Sequence, residues 1–174
     1  LEPARLMEAA RIAPQAPELE EAVLGALLLE MGAWTAIGDL ACPEMFYDNA
    51  RATIFRAAYA LWMDGKKVDS LTVTQKLSQD GDLKDCGGAF YVSTLTNKVA
   101  STANIEYHAR ILIERLIARK LLVMANETRE AVYGAPDALE LLDETSAKVS
   151  DLYAFTQSTS LITAADGIER LTDA

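Results

Sequence analysis

Apolar positions recur along the chain with a helical period, and strand-like alternation is nearly missing. Leu19, Ala22, Val23, Ala26, Leu27 and Met31 return every three or four residues, which predicts a core helix over residues 18–31. Pro17 suits its first position, where a missing N–H is no loss, and Glu18, Glu20 and Glu21 fill the first turn at the positive end of the helix dipole. Neighbouring helical residues point apart, so Glu20 and Glu21 read as solvated first-turn charges and not as an acid–base pair. Gly25 marks a close helix crossing. Residues 33–41 read as a short second helix, stopped before Pro43. Ile54, Phe55, Ala58, Leu61 and Trp62 form one stripe of a helix over 49–64, closed by Gly65 as a left-handed cap. Asp69 or Ser70 can cap a helix over 71–80 that Gly81 ends. The run Leu71-Thr72-Val73-Thr74 is the one strand-like stretch, and its flanking caps favour helix. Gly87-Gly88 opens a further helix carrying Phe90, Tyr91 and Leu95.

The pattern changes after Ser101. From 103 to 133 there is neither Pro nor Gly, and apolar residues populate several faces of one long predicted helix. Gly134-Ala135-Pro136 is a turn, and a second helix over 136–156 places Leu139, Leu142, Ser146, Val149 and Tyr153 at alternating three- and four-residue spacing. That spacing is a coiled-coil-like seam. The fold class expected is all-α: a loosely helical or flexible arm at 1–14, a helical globule at 15–100, a long antiparallel helical hairpin at 101–156, and a linker with the start of a linker helix at 157–174. The apolar surface of the hairpin exceeds what one antiparallel partner covers, so self-association is expected through Leu116, Val123, Leu139, Leu142, Val149 and Tyr153.

Composition narrows the chemistry. The 174 residues carry 16 Lys and Arg against 26 Asp and Glu, a net charge of -10, which argues against DNA as the main ligand of this chain. No apolar run reaches the roughly 20 residues of a membrane span, and no signal peptide is visible, so a cytoplasmic location with no membrane partner is expected. Cys42 and Cys86 are the only cysteines and form no CxxC; two buried thiols in a reducing compartment are the expectation. A P-loop needs GxxxxGK[ST]; around the single Gly65-Lys66 pair, Ala60 stands in for the first glycine and Lys67 for the hydroxyl residue. His108 is the only histidine, which rules out a multi-histidine metal site and a serine–histidine triad within one chain, and reads as a packing residue. No catalytic, cofactor-binding or metal-binding residue is assigned. Arg115, Arg119 and Lys120 cluster within about one and a half turns of the first long helix, and Asp143 and Glu144 lie on the second. These five are the candidate docking residues for a protein partner.

Several short motifs occur in a familiar order. Pro14-Gln15-Ala16-Pro17 leads into Glu18-Leu19-Glu20-Glu21-Ala22-Val23-Leu24-Gly25. Phe46-Tyr47 precedes Ile54-Phe55; then come Gly65, Val68, Asp69 and Thr72; then Gly81, Leu83, Gly87, Gly88 and Tyr91; then Ala103, Asn104, Tyr107, Ala109 and Ile111, with Arg119-Lys120 downstream. Over roughly residues 14–155 the chain resembles the N-terminal domain of the bacterial replicative DNA helicases of the DnaB family. Many members carry a His shortly before the Ile-Phe pair, where this chain has Arg51 and Thr53. The resemblance implies a non-catalytic collar domain. Its hairpins pair between subunits of a hexameric ring, and it docks primase and, in some systems, a helicase loader. It also implies that ATP, magnesium and most DNA contacts belong to a motor domain outside this sequence, so this chain is expected not to hydrolyse ATP. The alternative reading is a free-standing helical adaptor or regulator with a dimerising hairpin.

Overall fold

A computed structural model describes residues 12–38, 40–99, 102–134 and 137–158. The described chain is all-α. Its seven α-helices are α1 (Pro17–Leu29), α2 (Met31–Ile37), α3 (Asn49–Met63), α4 (Ser70–Asp80), α5 (Gly88–Leu95), α6 (Ile105–Tyr133) and α7 (Ala138–Ser158), with short 3-10 turns at Pro43–Met45, Thr96–Lys98 and Thr102–Asn104. The arm at 1–11 and the linker beyond Ser158 lie outside the described residues.

The caps read from sequence are present. Asp69 accepts the N–H groups of Leu71 and Thr72, while the Thr72 hydroxyl pairs with the Asp69 N–H, a reciprocal capping box. It turns the strand-like Leu71–Thr74 run into the first turn of α4. Asp48 caps α3 by accepting the Arg51 N–H at 3.0 Å. Gly87 and Gly88 have φ of +83° and +77°, a conformation open to glycine at little steric cost, and the chain turns there into α5.

The expected helices over 18–31 and 33–41 meet differently. The chain leaves the helix at Glu30, which is extended, and α2 begins at Met31. The break falls two residues before Gly32, the position that parts the two helices in sequence. It folds α2 back on α1, so that the Trp34 indole N–H reaches the Leu27 carbonyl at 2.9 Å and the ring is buried. The Trp34 ring stacks on Phe55 at 5.8 Å and on Trp62 at 5.4 Å between centroids. Burying one large aromatic with its polar tip satisfied outweighs a locally broken ladder. α2 stops at Ile37, whose carbonyl takes the N–H groups of Leu40 and Ala41 ahead of Pro43.

One core runs through all of this, from Val23, Leu24 and Leu27 on α1 across Phe55 and Ala58 on α3 to Ala109, Leu112 and Ile113 on α6. Gly25 is the closest approach. A Cβ there would meet the Leu95 carbonyl and the Val99 side chain, where the segment after α5 crosses α1. Cys86 is buried and Cys42 is half-buried, and burial raises both thiol pKa values.

Gly25→Ala should destabilise the fold by about 1–3 kcal/mol, because backbone cannot yield to the added methyl as a side-chain tip can. Gly32→Ala, at a helical site with nothing near its Cβ, should be neutral or stabilise by up to about 1 kcal/mol. Urea unfolding of both variants measures the difference.

Candidate functional site

α6 has two lives. Its first three turns bury Ile105, Ala109, Leu112, Ile113 and Leu116 in the core, and its second half runs on beside α7. Leu116 is only 5% exposed, so in one copy of the chain it has no face to offer a second; its expected place in a self-association surface is corrected by its burial in the core. Beyond it, Val123, Val132 and Tyr133 are exposed.

α7 carries two seams. Leu141, Thr145, Lys148, Leu152 and Phe155 are half-buried, and of these Lys148, Leu152 and Phe155 line a groove of about 470 Å³ with Val123, Met124 and Glu127 of α6. The seam read from sequence is the other one. Leu139 is 73% exposed and Val149 47%, and Leu142 and Tyr153 are likewise open. Both stripes repeat at three and four residues, so periodicity alone does not say which one faces α6. Asp137 caps α7, accepting the Leu139 N–H at 2.8 Å.

The candidate docking charges divide in the same way. Arg115 and Lys120 are exposed, with the Lys120 ammonium 5.1 Å from the centre of the Phe155 ring. Asp143 and Glu144 are exposed, and Glu144 meets Lys148 at 3.1 Å, which also reaches Glu127 across the hairpin at 3.2 Å. Such exposed pairs contribute under about 1 kcal/mol each. Arg119 is different. Its guanidinium donates to the Pro14 carbonyl at 2.9 Å, to the Glu44 carbonyl at 2.8 Å and to the Met45 carbonyl at 3.2 Å, and it lies 5.6 Å from the Tyr47 ring centre. Burial pulls its pKa below the ordinary arginine value. Arg119 ties two segments of the globule, at Pro14 and at the Pro43–Met45 turn, to α6, so its two terminal guanidinium nitrogens are engaged within the chain.

The solvated role expected for Glu20 is overturned. Its side chain is 0% exposed, its carboxylate lies 2.7 Å from Arg51 Nε, and it accepts the Tyr47 N–H at 2.8 Å. Burial works against the Arg51 charge, but hydrogen bonds to Tyr91 and Glu20 outweigh it and hold the guanidinium above its usual value. The Tyr91 hydroxyl donates to Glu21 at 3.2 Å, and Lys98 reaches Glu21 at 3.5 Å. The first turn of α1 is thereby pinned to the start of α3 and to α5. The signal was present in sequence: Glu20 lies one helical turn before Val23 and Leu24, on the buried stripe. Arg51 is the partner that makes the burial tolerable. His108 is half-buried, its ring 6.2 Å from that of Tyr107.

The left-handed glycines at 65, 81, 87 and 88 sit at helix ends and not in a phosphate-binding loop, and among the described residues no three His, Cys, Asp or Glu side chains group as a metal site. No helix among the described residues is long and apolar enough to cross a membrane.

Comparison with known proteins agrees with this geometry. Residues 12–114 match the family of DnaB-like helicase N terminal domains. The replicative DNA helicase DnaB of Rhodothermus marinus is 46% identical over 142 residues, covering 82% of this chain and 15% of that protein. That of Geobacillus stearothermophilus is 37% identical over 143 residues, covering 82% of this chain and 32% of that one. The chain thus spans a third or less of these relatives. Among solved structures, the N-terminal domain of DnaB helicase from Mycobacterium tuberculosis superposes with a TM-score of 0.77 at 30% identity, over 81% of this chain and 99% of that one. A DnaB-like replicative helicase, described with its interactions with primase, has the same fold at a TM-score of 0.66 and 23% identity, over 88% of this chain and 35% of that one.

The Glu20–Arg51 pair lies within the matched segment. Arg51→Met should cost roughly 3 kcal/mol, because it strands a buried carboxylate, whereas adding Glu20→Gln should recover part of that loss. Urea unfolding of the two single variants and the double variant reads the coupling.

Proposed function

Because the chain belongs to the family of DnaB-like helicase N-terminal domains, we propose that it is the non-catalytic collar domain of a replicative DNA helicase. In this reading a globule at 15–100 and a hairpin at 101–156 share α6. The hairpin joins subunits of the ring, as dimer pairs within a hexamer, and presents a docking surface to primase or a helicase loader. ATP-driven DNA unwinding, with its ATP, magnesium and DNA contacts, is the work of a motor domain outside this chain.

The open seam of α7 carries the proposal. Leu139, Leu142, Val149 and Tyr153, with Val123 across the groove on α6, form an apolar stripe that the chain's own hairpin leaves uncovered. Two such stripes packed together would extend the hairpin into a bundle of four helices, which buries what one copy cannot. Leu116 takes no part, being in the core. The docking half rests on charge. Arg115 and Lys120 on α6, with Asp143 and Glu144 on α7, place both signs beside the apolar stripe, where charge sets on-rate and register more than affinity. The interaction of a like-folded helicase with primase supports primase as the partner.

Val149→Asp should weaken self-association at least about tenfold, as a charge placed in a desolvated contact costs several kcal/mol. The helical circular dichroism should not change, since Val149 is half-exposed in one copy. Light scattering across a concentration series is the measurement, and a wild type that stays monomeric throughout would contradict the reading. For docking, the primase helicase-binding domain is titrated calorimetrically into wild type and Arg115→Glu/Lys120→Glu at low and moderate salt. Binding should fall about three- to tenfold and its salt dependence should shrink, with the fold intact. Arg119 is left in place because its guanidinium holds backbone carbonyls. Unchanged affinity would remove the charged patch from the docking site.

A further inference from the structure

The charges of the hairpin are sorted along its length. Residues 115–126 of α6 carry Arg115, Arg119 and Lys120 and no acid. Residues 137–147, which lead into and open α7, carry Asp137, Glu140, Asp143 and Glu144 and neither Lys nor Arg. The two helices run antiparallel, with Lys120 level with Phe155 and Glu127 level with Lys148. The basic stretch therefore lies at the base of the hairpin, where α6 leaves the globule, and the acidic stretch at its tip. The open seam of α7 has a centre as well. Leu139 and Leu142 precede Ser146, Val149 and Tyr153 follow it, and all five are exposed. We propose that two copies of this chain pack these seams antiparallel about a two-fold axis at Ser146, the acidic tip of each hairpin lying over the basic base of the other. This rests on the self-association proposed above and adds its orientation.

Seam and charge contribute separately. Counted from Ser146, the apolar members of the seam fall seven and four residues before it and three and seven after it. Reversing the direction of the helix therefore maps the seam onto itself. Leu139 meets the second copy's Tyr153, Leu142 meets its Val149, and serine faces serine where the helices cross, so little bulk holds them apart. A parallel pair would also match the seam, residue on like residue, so the charges decide. Parallel packing sets base beside base and tip beside tip, like charge on like. Antiparallel packing about Ser146 brings the second copy's Asp137 level with Phe155, and hence with Lys120. Each copy carries a net charge of -10, so two copies repel overall. The arrangement that sets opposite charges face to face is the one that offsets this repulsion and fixes register. Arg115 and Lys120 then serve the second copy too, so the primase titration is compared at equal states of assembly.

Cysteine placement in the full chain reads the orientation. With diamide as oxidant, mixed Leu139→Cys and Tyr153→Cys chains should form a linked dimer at least about tenfold faster than either variant alone. In the antiparallel register the two copies of residue 139 stand about 21 Å apart along the helices, beyond disulfide reach. Peptide mapping separates the 139–153 link from any made by Cys42 or Cys86. Charge reversal tests the cause. Arg115→Glu/Lys120→Glu and Glu140→Lys/Asp143→Lys should each weaken self-association about tenfold at low salt. An equal mixture of the two should regain wild-type affinity, because both tip-to-base contacts then join opposite charges. All substituted residues are exposed, and helical circular dichroism verifies that each variant folds. Leu139→Cys linking to itself as fast as the mixture would overturn the orientation. So would reversals that leave affinity unchanged while their mixture binds more tightly than wild type, the signature of a parallel pair. Either result leaves self-association standing, whereas a wild type that stays monomeric removes that reading and this one together.

Discussion

One helix has to satisfy two packings. α6 is 29 residues long, and its first three turns are part of the globule's core while its last turns are half of a hairpin. A helix of that length is about 44 Å from end to end, more than a globule of this size can enclose. The remainder must therefore project, and an apolar projecting helix is stable only against a partner. α7 supplies one partner along one flank. Residues on the other flanks, Val123, Val132 and Tyr133 among them, remain exposed.

Rigid projection needs a firm base, and two arginines build it. Arg119 collects three backbone carbonyls from two segments far apart in sequence, Pro14 and the adjacent Glu44 and Met45, and so fixes α6 where it leaves the globule. Arg51 neutralises the buried Glu20 carboxylate and joins the first turn of α1 to the start of α3. Buried charges of this kind contribute little net stability, since desolvation offsets much of the attraction. They do penalise any arrangement that separates them.

The hairpin exposes Val123, Leu139, Leu142, Val149 and Tyr153, whereas in the aromatic stack of the globule Trp34 and Phe55 are buried and Trp62 is half-buried.

Helical period, caps and turn residues settled most of the architecture before any coordinates. The capping box at Asp69 and Thr72, the left-handed glycines, the unbroken 103–133 helix and the close crossing at Gly25 are each local consequences of residue type. Ordered motifs likewise pointed to the family. Three features depended on tertiary structure. The two helices that the sequence parts near Gly32 separate instead at Glu30, where the chain turns so that Trp34 enters the core. Arg119 looks like one of three equivalent surface cations until the segments whose carbonyls it holds are brought beside it. Of the two seams on α7, both with the same three- and four-residue repeat, only the crossing of α6 decides which is covered. A period reports how many faces a helix can bury, and the neighbour it packs on determines which face that is.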